Sequence, residues 1–254
     1  MQQFNTRYTY IFSFALCLFC SIVLATAAVG LKARQTANQQ LDKQKSVLMA
    51  GNLVARGEIL SPAVIKEKFA SIQPLILDLK TDAIAEGVDP VTFKAEDAPL
   101  MAAPNNRAQI KELPQQVQIF EVMKDGKVDM LVLPIFGKGL WGTLYGFLAL
   151  GADTTTVRGI TYYSHKETPG LGGEVDNPKW KALWPDRQVY DENWNVAIKV
   201  IKGPAGKAAE DPHSIDGLSG ATITSRGVTH MMEFWLGEEG FGPFLKTFRE
   251  KGSV

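Results

Sequence analysis

"VQIFEVMKDGKVDMLVLPIFGKG", residues 117–139, sets two β-rich runs on either side of Asp125-Gly126. An Asp-Gly pair between two such runs is a short-range hairpin signal, because both turn residues must accept positive φ. The stretch that follows, "GTLYGFLALGADTTTVRGITYYSH" (142–165), repeats the plan with a turn near Gly151 to Thr155. "NWNVAIKVIKG" (193–203) reads as one further strand with partial alternation. Val228, Met231, Met232 and Trp235 then recur at helical spacing, one buried face, with Gly237 as a stop. Strands in hairpins with helices segregated from them predict an α+β domain of antiparallel hairpins and packed helices.

Upstream, the order changes. Residues 94–107, rich in Ala, Pro and Asn, read as a loop. Ser61-Pro62 opens a helix, with Ser as N-cap and Pro at its first position, and Val64, Ile65 and Phe69 give it an apolar face. Leu41, Val47 and Leu48 begin an amphipathic pattern suited to a stalk. From Tyr8 to Leu31 there is no charged residue, Pro or Asn. As a helix this run would span about 36 Å, more than the ~30 Å hydrocarbon core of a bilayer. A secretory signal peptide is the competing reading, since Ala25-Thr26-Ala27 resembles a cleavage site. The apolar run is long for a signal core, which favours a retained anchor. The expected organisation is a tail at 1–7, a transmembrane helix at 8–31, a helical stalk at 32–60 and a domain at 61–254.

Charge excludes one class of partner. The chain of 254 residues has a formal net charge of +0, so it lacks the basic surface that nucleic acid demands. Around the span, Arg7 precedes it and Lys32, Arg34, Lys43 and Lys45 follow it, a weak bias toward a cytoplasmic domain. Cys17 and Cys20 both lie inside the span, so the domain carries no disulfide framework. Two thiols do not complete a metal site, and the three His residues lack ligand spacing. No metal site is expected.

Three small-residue turns remain for chemistry: "GKGLWG" (137–142), "SHKETPGLGGEV" (164–175) and "DGLSGATITS" (216–225). The third stands at the entrance of the Val228–Trp235 helix, where free N–H groups and the helix dipole favour an anion. Gly220 and Ala221 leave room for a phosphate; Ser219, Thr222, Thr224 and Ser225 offer hydroxyl donors, and Arg226 a charge. Thr224 or Ser225 is the expected N-cap. A plain over-supplied cap explains the segment equally well. It is not a P-loop, whose Gly-Lys-Ser/Thr ending is absent. "GLSGA" approaches a serine-nucleophile elbow, but Ala221 stands where the last Gly belongs and a polar segment precedes it. In the second turn the glycines allow close backbone approach to a flat ligand, with Leu171 for apolar contact and Glu167 and Thr168 for polar contact.

"DGLSGAT" resembles the flavinylation motif of the FMN-binding domains of bacterial respiratory complexes. "GKGLWGTLYGFLAL" and "SHKETPGLGGEVDNPKW" are similar to the C-subunits of the sodium-translocating NADH:quinone reductases. The related G-subunits of Rnf-type electron transport complexes share the ETPGLG and SGAT elements but are not expected to have GKGLWG. The resemblance runs from the anchor to about Pro243. It implies covalent FMN, esterified through its phosphate to Thr222 and attached after export by a separate flavin transferase. It implies a single-pass subunit of a six-subunit bacterial inner-membrane reductase, its domain in the periplasm, against the weak charge bias. The subunit would relay electrons between an iron–sulfur centre and a neighbouring subunit's flavin, with NADH oxidation, ubiquinone reduction and sodium passage involving the other subunits. On that resemblance Glu167, Thr168, Gly170, Leu171 and Gly172 lie against the isoalloxazine. Ser219, Gly220, Ala221, Thr224 and Ser225 surround the phosphate. The alternatives are an Rnf-type G-subunit or an anchored scaffold module without flavin.

Overall fold

The computed structural model describes residues 6–54, 58 and 60–251. The expected 1–7 tail, the end of the 32–60 stalk and the end of the 61–254 domain therefore lie partly outside the described residues. The chain divides into two compact units, Met1–Lys43 and Gln44–Val254.

Helix α1 runs over Thr6–Ala50. Its segment Thr6–Lys32 contains an 18-residue window of mean hydropathy 2.4 and is long enough to cross a membrane. Ser21 and Thr26 donate their hydroxyls to the carbonyls of Cys17 and Ile22 one turn back, which satisfies them inside the helix.

The second unit opens with the last turns of α1, where Val47, Leu48 and Ala50 are buried. Helix α2 (Pro62–Phe69) begins as expected: the Ser61 Oγ accepts from the Val64 N–H at 3.3 Å and Pro62 stands at the first turn. Strands β1 (Ile72–Asp78) and β2 (Ala83–Ile84) follow, then the short pair β3 (Leu100–Ala102) and β4 (Glu112–Pro114). The main hairpins are β5 (Gln116–Lys124), β6 (Lys127–Lys138), β7 (Thr143–Gly151) and β8 (Val157–Ser164). With β1 and β2 they make one antiparallel sheet in the order β2-β1-β5-β6-β7-β8. Asp125 and Gly126 adopt φ of 52° and 76°, the two positive angles a two-residue hairpin turn requires.

Both faces of this sheet are covered, which is why β5 to β7 read as apolar runs rather than clean alternation. On one face Ile119, Leu131, Leu133, Leu148 and Ile160 join the main core. Helices α4 (Thr222–Leu236) and α5 (Gly242–Lys251) contribute Met231, Trp235, Phe244 and Phe248 to that core. At alternate positions Phe120, Val132, Phe147 and Ala149 are buried without belonging to it. Phe69 of α2 meets Phe120 edge-on at 5.8 Å there.

The region between β8 and α4 departs from expectation. It holds a short α3 (Pro178–Lys181) and only two-residue strands, β9 (Lys199–Val200) and β10 (Ser214–Ile215), paired in parallel. Residues 193–203 are thus not a full strand. Asp191 draws the backbone N–H groups of Asn193 and Asn195 onto its carboxylate, and Ala197 and Ile198 both donate to the Val189 carbonyl. That pattern leaves no ladder to extend.

Candidate functional site

β6 ends and β7 begins at the first turn, and β8 ends at the second, so both leave the sheet from the same end. The Gly139 N–H donates to the Gly142 carbonyl at 2.8 Å, closing the first turn. In the second, the Thr168 carbonyl accepts from both Leu171 (3.1 Å) and Gly173 (2.9 Å), and Gly170 turns at φ 76°. Ahead of the third, Asp216 accepts the Ala205 N–H on its side chain and the Trp180 indole N–H on its carbonyl. Helix α4 is then laid against the first turn: a Cβ on Gly227 would collide with the Lys138 carbonyl oxygen.

All three turns converge on one carboxylate. Glu167 is only 5% exposed. Its Oε1 accepts the Trp141 N–H at 2.9 Å, from the first turn. Its Oε2 accepts the Thr224 hydroxyl at 2.5 Å, from the first turn of α4. A Cβ on Gly139 would lie 2.6 Å from Oε1, and one on Gly172 would overlap Oε2 and the Thr224 Oγ1. These glycines are there to let the chain close around the carboxylate. On the other side of the residue, the Glu167 N–H donates to His165 Nδ1 at 3.2 Å. His165 Nε2 contacts Asp176 Oδ2 at 2.8 Å.

Burial works to raise the Glu167 pKa. The Thr224 hydroxyl and the backbone N–H groups of Trp141, Leu140 and Gly142 outweigh it and hold the carboxyl below its ordinary range. A depressed folded pKa contributes stability that is complete above the unfolded value of about 4.3 and lost as pH falls through the folded value. The stability difference between wild type and Glu167→Gln is therefore expected to be full near neutrality and to close below about pH 4. Urea melts across a pH series measure it.

The expected N-cap is corrected. Helix α4 starts at Thr222, its N-cap position is Ala221 at φ −128° and ψ 50°, and no side chain caps it. Thr224 is fully buried and its hydroxyl donates to Glu167. Ser225 is buried too, its Oγ accepting the Leu218 N–H at 3.1 Å, a clasp between loop and helix. Glu167 itself is turned inward and does not present its carboxylate to the surface.

What remains at the surface is a compact set: Ser219, Gly220, Thr222, Thr168, Gly170 and Leu171 are exposed, and Ala221 is buried beneath them. Gly220 turns at φ 70°, and any Cβ there would meet Leu171 Cδ2 at 2.9 Å. Leu171 and the Thr222 loop are thus direct neighbours. Trp141 is a further candidate, outside the residues expected from the sequence; it is 65% exposed, and its backbone is fixed by Glu167. The available signal was a large aromatic placed in a glycine turn, where no core needs it. These residues are exposed rather than enclosed. Cavities of about 230 and 410 Å³ lie elsewhere, against Met49 and Gly159 and against Gly51 and Arg158.

Comparison with known proteins agrees on one family. Residues 139–237 match the family described as FMN-binding domain, a span that takes in all of the second and third turns and most of the first. The C-subunit of the Na(+)-translocating NADH-quinone reductase of Yersinia pestis is 44% identical over 92% of this chain and 90% of its own. The C-subunit of the Pseudomonas aeruginosa reductase is 42% identical over 98% of both chains. The crystal structure of Shewanella oneidensis NqrC superposes with a TM-score of 0.77 at 34% identity, over 84% of this chain and 99% of that one. An apolar N-terminal helix, a hairpin sheet with packed helices, and three turns closed on Glu167 thus accompany identity along nearly the whole length, and the chain belongs to the C-subunit family of the Na(+)-translocating NADH-quinone reductases.

Proposed function

We propose that this chain is the flavin-carrying relay subunit of a sodium-translocating NADH:quinone reductase, with FMN esterified through its phosphate to Thr222. The observation that carries the reading is the Thr222 hydroxyl, exposed at the first residue of an uncapped helix of 15 residues. The unpaired N–H groups of that first turn and the helix dipole favour the phosphate there. Gly220 keeps the approach open, Ser219 adds a hydroxyl donor at the rim, and Arg226 is exposed within the first turns of the helix.

The residues fit the rest of the cofactor. Leu171, 44% exposed, and Trp141 offer apolar and aromatic surface for a flat ring, and the Thr168–Gly172 turn keeps its backbone close. Bound FMN supplies the acceptance and release of electrons; the chain supplies attachment, orientation and apolar shielding. Residues this exposed do not enclose a ligand as an ordinary pocket does. A covalent link through Thr222 would hold the flavin where shape alone does not.

In this reading residues 8–31 anchor the chain as a single span in a bacterial inner membrane, and the stalk is limited to the helix between that span and Lys43, since Val47, Leu48 and Ala50 already belong to the domain. The domain stands in the periplasm, where a flavin transferase loads it. Other subunits of a six-subunit complex deliver and remove electrons, from an iron–sulfur centre and to a neighbouring flavin. The test is an intact-mass measurement with peptide mapping on the chain co-produced with the transferase. The expected mass gain is one FMN less one water, on the peptide containing Thr222. A chain of unmodified mass overturns the reading.

A further inference from the structure

We propose that Glu167 is the positioning residue of the flavin site: it sets the place of both Thr222 and Leu171 without touching the flavin. The proposal rests on the reading that Thr222 carries FMN. Its geometric basis is that one buried side chain ties together segments far apart in sequence. Oε2 holds Thr224, two residues beyond Thr222 in the same helical turn. Oε1 holds Trp141 in the turn between β6 and β7. The Glu167 backbone leads, four residues on, to Leu171, which abuts Gly220.

A carboxylate suits this role because it is acceptor-only and has two oxygens, while everything facing it is a donor: a hydroxyl and the N–H groups of Leu140, Trp141 and Gly142. Gln has the shape but presents an NH₂ to one set of donors. Asp is one methylene short of bridging two turns. The residue is secured from behind as well. His165 Nδ1 accepts the Glu167 N–H, which leaves its proton on Nε2, facing Asp176. Asp176 in turn has Lys181 at 3.9 Å. The carboxylate also stays a fixed negative charge beside the site, held ionised by its donors. A fixed anion disfavours adding electrons to a nearby flavin.

The test uses the full chain co-produced with the flavin transferase, in Glu167→Gln, Thr224→Val and Thr224→Ser. Thr224→Val removes the hydroxyl but keeps the shape; Thr224→Ser keeps the hydroxyl. Three readouts are taken: a circular-dichroism melt for folding, in-gel flavin fluorescence after full denaturation, and a redox titration of the attached flavin. Thr224→Ser is expected to match wild type in flavin yield and titration, with a melt lowered only by the buried methyl it loses. Thr224→Val and Glu167→Gln are expected to fold with covalent flavin at least fivefold down. In the flavin-bearing fraction of Glu167→Gln, the ratio of reduced to oxidised flavin at a fixed potential should rise at least tenfold, while Thr224→Val, which keeps the charge, shifts it less. Wild-type yield and titration in Glu167→Gln and Thr224→Val overturn the proposal and leave the covalent reading intact. If Glu167→Gln does not fold, Thr224→Val decides alone, and an unchanged yield in it overturns the proposal. A wild-type chain without denaturation-resistant flavin overturns the underlying reading instead.

Discussion

Thr222→Ala is expected to give a folded chain with no flavin surviving denaturation. Thr222 is exposed at the first position of α4 and caps nothing, so its loss removes no buried contact. Ala is the best helix former, and exposed substitutions of this kind usually stay within about 0.5 kcal/mol. The melting temperature should therefore hold while the fluorescent band disappears. Thr222→Ser keeps a hydroxyl in the same place and should restore a band. Ser219→Ala, at an equally exposed hydroxyl, should leave the linkage on the Thr222 peptide. A band that persists in Thr222→Ala would move the ester to another side chain.

Trp235→Ala should be the most damaging single change in the domain that leaves the surface of the site intact. The side chain is 1% exposed, stacks on Phe241 at 4.9 Å and meets Phe136 edge-on at 5.0 Å. Its indole N–H donates to the Phe136 carbonyl at 2.7 Å. Truncations of this size in a core cost about 3–5 kcal/mol. In a domain of about this size each kcal/mol lowers Tm by roughly 2–4 °C, so a drop near 10 °C is expected in thermal melts. Trp235→Phe keeps most of the area but leaves the carbonyl unpaired, a smaller loss of about 1–3 kcal/mol. Because Trp235 fastens the last turn of α4 to β6, Trp235→Ala should also lower flavin loading as α4 shifts against the first turn.

Much of this arrangement is legible in the sequence where the signal is local. Asp125-Gly126 marks its own turn, and Ser61-Pro62 its own helix start. Met231, Met232 and Trp235 announce the buried face of α4 by spacing alone. What fails is long-range. Thr224 looks like a cap because hydroxyls crowd a helix start, yet its partner is a carboxylate 57 positions away. Glu167 stands in a glycine turn, and nothing local shows that its donors come from the other two turns. Residues 193–203 have the composition of a strand, but a strand needs a neighbour, and the Asp191 turn takes up the backbone instead. Trp141 was legible in principle, since an aromatic in a tight turn has no core to fill.

The length of β6 has a practical use. The strand starts at the Asp125-Gly126 turn and ends at the turn held by Glu167, so its 12 residues separate the two by about 40 Å. Lys127 is exposed at the far end, and the only cysteines of the chain, Cys17 and Cys20, lie in the apolar helix. A cysteine placed at Lys127 would be a single water-facing attachment point for a fluorophore. With the flavin as the second chromophore, the strand becomes a built-in ruler. It would read the distance between the two ends of the domain, and any change in it, while the protein works.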